Sequence, residues 1–132
     1  MSENNVEVAR RTNKAWNEGG LESVKQFYAE DAEWHDPPNL PDPQVVRGRD
    51  AVIAHLTDQV GVVGQMKNAI VDVRARGGTV VLRIELTLHG PESGIQVPGE
   101  MAQVIEVVDG RIQRSRLFFT WEEALEAAGL SE

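Results

Sequence analysis

The residues best suited to chemistry lie in the stretch 28–38, which reads Y-A-E-D-A-E-W-H-D-P-P. Its middle alternates in character, so a two-residue strand period puts Trp34 and Asp36 on one face and His35 on the other. Pro37 cannot donate to a strand ladder and favours extended dihedrals in the residue before it. The sequence therefore predicts a carboxylate beside an indole at the end of a strand. The plainer interpretation is a solvated Asp-Pro turn.

A buried carboxylate at this place would be useful in proton transfer. Desolvation would raise the pKa of Asp36 toward the range in which a carboxylate accepts and returns a proton near neutral pH. A second polar residue, Gln103, interrupts an apolar row on a later predicted strand. Its amide could donate to a developing enolate oxygen, or it could simply bond a neighbouring side chain. Burying such groups without partners costs about 1–3 kcal/mol each, so both need a reason to face inward.

Composition argues against several other functions. The chain has no cysteine, which excludes disulfides, thiolate metal sites and a cysteine nucleophile. Its three histidines lack metal-ligand spacing, and neither a nucleophile elbow nor a phosphate-binding glycine loop is present. A net charge of −8 disfavours nucleic acid and anionic membranes as partners. No apolar run could span a bilayer and the first residues do not resemble a signal peptide, so we expect a soluble, cytoplasmic protein without metal or cofactor.

The 132 residues are expected to form one domain over residues 1–132. The order of elements, helices first and then a long antiparallel sheet with a closing helix, is typical of the α+β class. A Gly77-Gly78 pair predicts a hairpin, and Thr120 with Glu123 predicts a capping box. Helices are predicted over 3–17, 21–28, 48–60 and 120–129, and strands over 32–36, 68–76, 79–89, 100–108 and 111–119.

The inner rows of these strands would meet the buried side of the first helix. That arrangement predicts an apolar small-molecule pocket, unless the same side chains simply fill each other's space as a core. On the strand over 68–76 the alternation places Val71 and Val73 on one apolar face. The predicted pocket residues besides Asp36 and Gln103 are Thr12, Trp16, Trp34, Leu82, Ile84, Leu86, Met101, Ile105, Ser115, Leu117 and Phe119.

Four segments together resemble a known family: F-Y-A-E-D-A-E-W-H-D-P, R-G-R-D-A-V-I-A, V-V-D-G-R-I-Q-R and E-A-L-E-A-A-G-L. They resemble the SnoaL-like and ketosteroid-isomerase branch of the nuclear transport factor 2-like superfamily. The resemblance implies a cone-shaped fold, with N-terminal helices packed on a curved, mainly antiparallel sheet that encloses an apolar pocket. It also implies that Asp36 is the base. The two oxyanion donors of ketosteroid isomerases, a Tyr and an Asp, fall near Thr12 and on Gln103, so neither is kept.

The resemblance and the residues favour a cofactor-free isomerase or cyclase that moves a proton on a small hydrophobic carbonyl compound. The alternative is a non-catalytic module that holds a hydrophobic ligand in the same cavity. Epoxide hydrolysis is disfavoured because Arg74 and Arg83 alternate away from the apolar rows. A third hypothesis is an assembly role, in which the outer sheet face pairs two chains and the cavity is vestigial. In either case we expect a homodimer through that face, where Val81 and Phe118 would form an exposed patch. Asp36→Asn would then abolish proton transfer and leave the fold intact.

Overall fold

The computed structural model describes residues 2–63, 66–89 and 96–130. In these ranges it contains four helices and six strands. The helices are α1 (Ser2–Gly19), α2 (Leu21–Lys25), α3 (Arg49–Val63) and α4 (Trp121–Ala127). The strands are β1 (Tyr28–His35), β2 (Val45–Arg47), β3 (Met66–Arg76), β4 (Thr79–His89), β5 (Gln96–Val108) and β6 (Arg111–Phe118).

The strands form a mixed sheet in the order β2-β1-β6-β5-β4-β3. All neighbours are antiparallel except β1 and β6, which run parallel and place Trp34 opposite Ser115. Helices α1 and α3 pack on the inner face, where Val52, Leu56 and Leu82 are buried. This confirms the predicted α+β layout of helices against a curved sheet.

Three local predictions are confirmed by their backbone geometry. Gly77 turns the chain between β3 and β4 with φ of 57°, a value that glycine adopts without steric cost. Thr120 caps α4 by accepting a hydrogen bond from the backbone N–H of Glu123 at 3.2 Å. Gly129, with φ of 72°, follows the end of the same helix, and the N–H of Leu130 returns to the carbonyl of Leu125.

Several element boundaries differ from the prediction. Strand β1 begins at Tyr28, so α2 ends earlier, at Lys25. The proline-rich loop after Asp36 ends in the short strand β2, which pairs with β1. Helix α3 continues past its predicted end at residue 60, through Gly61 to Val63. Gly64, the last residue of the stretch 61–64 that was predicted to end it, lies outside the described residues.

The predicted face of β3 is wrong at Val71. The pairing register with β4 shifts between Ile70 and Asp72, which identifies a bulge at Val71. An extra residue at a bulge reverses the alternation on either side of it. Ile70, Val73 and Ala75 therefore pack against the inner core, whereas Val71 is 52% exposed.

The outer sheet face is covered where an exposed patch was predicted. Helix α4 packs there and buries Val81 completely, together with Ala102 and Val104. Phe118 is half-buried against the same cluster. The patch of Val81 and Phe118 predicted as a dimer contact is thus an intramolecular core beneath α4.

Candidate functional site

A cavity of about 510 Å³ opens between the helices and the inner face of the sheet. Its lining combines apolar side chains with nine polar ones, and a mixture of this kind is usual in a small-molecule site. The sheet contributes Leu82, Ile84 and Leu86 from β4 and Met101, Gln103 and Ile105 from β5. The polar side chains in the lining are Thr12, Asn13, Tyr28, Asp36, His55, Asp58, Gln59, Asn68 and Gln103.

Asp36 lies one residue beyond β1, on the same face as Trp34. Asp36 is 8% exposed, and each of its two carboxylate oxygens accepts a hydrogen bond. The indole Nε1 of Trp34 donates to Oδ1 at 3.0 Å, and the backbone N–H of Gln44 donates to Oδ2 at 3.0 Å. The pairing of the carboxylate and the indole on one face, predicted from the two-residue period, is confirmed by this bond.

Two side chains from α3 complete the surroundings of the carboxylate. The Nε2 of His55 lies 3.0 Å from Oδ1 of Asp36, and the Nε2 of Gln59 donates to the same oxygen at 3.4 Å. His55 and Gln59 are four residues apart, so they share one face of the helix. The sequence did not identify either residue as part of the site. Their helical spacing after the Asp-Pro-Pro loop was the available signal.

The electrostatics of Asp36 differ from the prediction. Desolvation alone raises the pKa of the carboxyl, as expected for a buried acid. Hydrogen bonds from His55, the Gln44 backbone and Trp34, together with the charge of His55, lower the pKa more strongly. The net pKa lies below the usual value, so Asp36 is a carboxylate at neutral pH and, on its own, a weak base.

Gln103 belongs to a second polar group on the cavity wall. Its Nε2 donates to the Oγ of Ser115 at 2.6 Å, and Ser115 is also hydrogen-bonded to the phenol of Tyr28. Burial of Tyr28 raises the pKa of the phenol, which keeps it protonated. The three side chains come from β5, β6 and the start of β1.

The structure brings most of the predicted pocket residues to one surface. Ser115 is the exception, because it is completely buried and supports Gln103 and Tyr28 rather than facing the described lining. Arg74 and Arg83 lie on the opposite face over the ring of Trp121, as their alternation predicted. The predicted residues found in the lining are Thr12, Trp16, Trp34, Asp36, Leu82, Ile84, Leu86, Met101, Gln103, Ile105, Leu117 and Phe119.

Metal-binding clusters and membrane-spanning helices are both absent from the described ranges. No group of three His, Asp or Glu side chains there converges in a metal-binding arrangement. No described helix is both long and apolar enough to cross a membrane.

Comparison with known proteins gives the family. The fold and the cavity define a cone-shaped α+β protein of the nuclear transport factor 2-like superfamily. The SnoaL-like domain family matches residues 9–115, so the chain belongs to this family. A comparison with curated proteins found no match.

Solved structures with the same fold span nearly the whole chain. Bal32a, from a soil-derived mobile gene cassette, is 25% identical with a TM-score of 0.76, covering 96% of each chain. TerC, co-crystallized with polyporic acid, is 18% identical with a TM-score of 0.77, covering 93% of this chain and 98% of TerC. A candidate SnoaL-like polyketide cyclase from Jannaschia sp. CCS1 is 20% identical with a TM-score of 0.76, covering 100% of this chain and 96% of its own.

Proposed function

We propose that the protein is a cofactor-free isomerase or cyclase that moves a proton on a small, largely apolar carbonyl compound. The observation that carries the proposal is the pair formed by Asp36 and His55 at the cavity wall, with 3.0 Å between Oδ1 and Nε2. A carboxylate bonded to an imidazole in a mainly apolar cavity is an arrangement suited to general acid–base catalysis. Membership of the SnoaL-like family supports the same class of activity.

In this mechanism Asp36, the base predicted from the sequence, acts through His55. Its carboxylate already accepts several hydrogen bonds, so taking a substrate proton would displace a donor. When Oδ1 of Asp36 accepts the Nε2–H of His55, it fixes the imidazole in the tautomer in which Nδ1 carries a lone pair. No described residue donates to or accepts from Nδ1. Nδ1 takes a proton from the carbon beside the carbonyl, and the imidazolium, stabilised by Asp36, returns it to another carbon.

The negative charge that develops on the substrate oxygen needs donors. Ser115 accepts from Gln103, so its own hydrogen can bond the Tyr28 oxygen and leave the phenol hydrogen free for the cavity. The second N–H of Gln103 is also free of described partners. Tyr28 and Gln103 are therefore the proposed donors to the oxyanion.

Tyr28→Phe is expected to lower kcat about 10²- to 10³-fold with little change in KM, because it removes one oxyanion donor and leaves the ring in place. The effect is measured by steady-state kinetics, with the ketone that the wild type turns over fastest as substrate. Thr57→Val is the matched control, since it removes a hydroxyl that bonds only the carbonyl of Ile53 on α3, away from the cavity lining. Equal kcat values for Tyr28→Phe and the wild type would assign Tyr28 a structural role.

The second candidate function is a non-catalytic holder of a hydrophobic ligand. The lowered pKa of Asp36 favours it, because a carboxylate so well stabilised has little tendency to take a proton unaided. Native mass spectrometry for co-purified ligand, combined with turnover assays on 3-oxo steroids and polyketide-like ketones, separates the two functions. Turnover that is lost in His55→Gln, whose amide can still bond Asp36, supports the enzyme. A retained ligand that is never converted supports the holder.

Homodimerisation stays a prediction. Because α4 covers Val81 and Phe118, we now expect the contact on the part of the outer face beside β1. There Arg114 and Arg116 share Glu106 as an ion-pair partner, at 2.5 and 3.9 Å. Desolvation lowers the pKa of Arg116, as does the neighbouring Arg114. A carboxylate of a second, acidic copy would complement this pair. Sedimentation equilibrium at micromolar concentration is expected to give the dimer mass, and the monomer mass for Arg116→Glu. A wild-type monomer at every concentration would contradict the prediction.

A further inference from the structure

The charged side chains around the cavity limit the compounds that it can hold. We propose that the protein selects its substrate by charge, so that it prefers carbonyl compounds that carry a protonated amine, accepts neutral ones and rejects carboxylates. This inference rests on the proposed function for the carbonyl group and adds the charge of the substrate. The observations that support it concern the charged and aromatic residues of the lining.

The cavity lining contains two carboxylates, those of Asp36 and Asp58, and no lysine or arginine among the residues that the structure describes. The segments outside the described ranges contain neither lysine nor arginine, so they can add no basic side chain. Among the described lining residues, only His55 can carry a positive charge, and it can balance one carboxylate at most. The cavity is therefore negatively charged whether His55 is neutral or protonated.

The charge of Asp36 is a fixed feature of the cavity wall. Desolvation alone would raise the pKa of this carboxyl, but hydrogen bonds from His55, the Gln44 backbone and Trp34 lower it below the usual value. A second anion in the same, mainly apolar cavity would meet this charge with little water to screen it. A substrate carboxylate is therefore disfavoured even where the rest of the molecule fits.

Asp58 lies on α3, three residues after His55 and therefore on the same side of the helix. It is exposed, and no described residue forms a hydrogen bond or an ion pair with its carboxylate. A protonated amine of the substrate can therefore bond this carboxylate without displacing a protein group. Because Cβ atoms three residues apart on a helix are separated by about 5–6 Å, the amine would lie a few bonds from the carbon that His55 deprotonates in the proposed mechanism.

Asp58 and Phe119 are the exposed members of the described lining, so they mark where the cavity meets solvent. An ammonium group is strongly hydrated and costly to bury, so it should remain at such an opening while the apolar part of the molecule enters. The face of an aromatic ring also attracts a cation that lies within about 6 Å of the ring centroid. Both residues at the opening thus favour a positive group over a negative one.

The substrate class that fits is an apolar amino ketone, with its ammonium group at the opening. Its carbonyl oxygen would accept hydrogen bonds from Tyr28 and Gln103, as in the proposed function, and its apolar part would pack on Leu82, Ile84 and their neighbours. The ammonium would also stabilise the negative charge of the enolate, so it would favour the reaction as well as binding. A cavity of about 510 Å³ accommodates a molecule of this kind.

The test compares three ketones on one skeleton: 6-acetyl-2-naphthoate and its counterparts with a hydroxymethyl or a protonated aminomethyl group in place of the carboxylate. Isothermal titration calorimetry at neutral pH measures their binding. The wild type is expected to bind the ammonium compound about tenfold more tightly than the alcohol, and the carboxylate about tenfold more weakly. Both differences should shrink at about 0.5 M salt, because salt screens charges that are in contact with solvent.

Asp58→Asn is expected to reduce the ammonium preference to about twofold, since the amide keeps the volume of the side chain and removes its charge. The variant should fold as the wild type does, because Asp58 is exposed and has no partner among the described residues. Glu126→Gln is the matched control. It removes one negative charge at an exposed position of α4, outside the lining, and should keep the preference within about twofold of the wild-type value.

Three results would overturn the inference: no binding of any of the three ketones, a wild type that binds the carboxylate as tightly as the alcohol, or an ammonium preference that survives in Asp58→Asn. An equal loss of preference in Glu126→Gln would also overturn it, because the preference would then follow from the net charge of −8 and not from the cavity. Turnover is not part of this test, so a protein that converts no ketone but shows this order of binding would overturn the enzyme proposal and leave the charge selection standing.

Discussion

Asp36→Asn is expected to lower kcat about 10²- to 10⁴-fold, the range that positioned acid–base catalysis contributes. An asparagine can place either its oxygen or its NH₂ toward His55, but it carries no charge to stabilise the imidazolium. The substitution also removes the carboxylate acceptor 3.0 Å from Nε2 of His55. That acceptor is the main reason why His55 would adopt the tautomer with an unprotonated Nδ1. Steady-state kinetics, with kcat and KM determined separately, measure the effect.

The same substitution is also expected to destabilise the fold, contrary to the expectation from side-chain volume alone. Apart from His55, the described partners of the carboxylate are all donors: Trp34 and Gln59 donate to Oδ1 and the Gln44 N–H donates to Oδ2. The NH₂ group of the introduced asparagine would meet one of these donors and leave it unsatisfied. Such a buried, unmade bond costs about 1–3 kcal/mol, measurable by urea denaturation at pH 7.

The pH dependence of stability gives an independent check. Because the pKa of Asp36 is lower in the folded than in the unfolded protein, its stabilising contribution is fully present above the unfolded value of about 3.9. The contribution is lost as pH falls through the folded pKa. Asp36→Asn should therefore lose less stability than the wild type between neutral pH and about pH 3.

A matched substitution separates these effects from a general loss of charge. Asp31→Asn changes an exposed aspartate on β1, the strand that Asp36 follows, outside the cavity lining, and is expected to leave kcat unchanged. If Asp36→Asn kept wild-type kcat, neither direct nor His55-mediated proton transfer by Asp36 could be correct.

Local pattern was sufficient for part of this site. Alternation placed Trp34 and Asp36 together, because a strand's side chains follow a period of two whatever surrounds them. The partners on α3 were not predictable in this way. His55 lies 19 residues beyond Asp36, and its approach depends on how the Asp-Pro-Pro loop returns the chain to the sheet. Because these partners could not be predicted, burial was the main influence on the pKa of Asp36 that the sequence indicated. The predicted direction of the pKa shift was therefore wrong.

The fold shows the same division between local and long-range information. The strand β4 has the predicted limits because its alternation continues through all 11 residues. Val71 breaks the rule because a bulge is a property of two paired strands, and the sequence of β3 alone carries the alternation without the register shift. Alternation also divides the side chains of β4 between two faces, but it does not indicate which face a helix covers. Val81 is buried by a helix 40 residues later in the chain.

Trp121→Ala is expected to destabilise the protein by about 3–5 kcal/mol, the usual cost of truncating a buried tryptophan. Trp121 is 3% exposed and packs with Val81 and Val104 between α4 and the sheet. The guanidinium groups of Arg74 and Arg83 lie 5.6 and 6.0 Å from its ring centroid and add a smaller cation–π attraction. Urea denaturation followed by circular dichroism measures the loss.

Trp121→Phe, the matched control, keeps an aromatic face for both arginines and should retain most of the stability. The cavity lies on the opposite face of the sheet, so the folded fraction of Trp121→Ala is expected to bind ligand with nearly wild-type affinity. Loosening α4 would expose Val81 and Phe118, the patch that sequence alone placed on the surface. Concentration-dependent association that appears in Trp121→Ala but not in Trp121→Phe would show that α4 shields this patch. A loss below about 1 kcal/mol would mean that the helix contributes little to the fold.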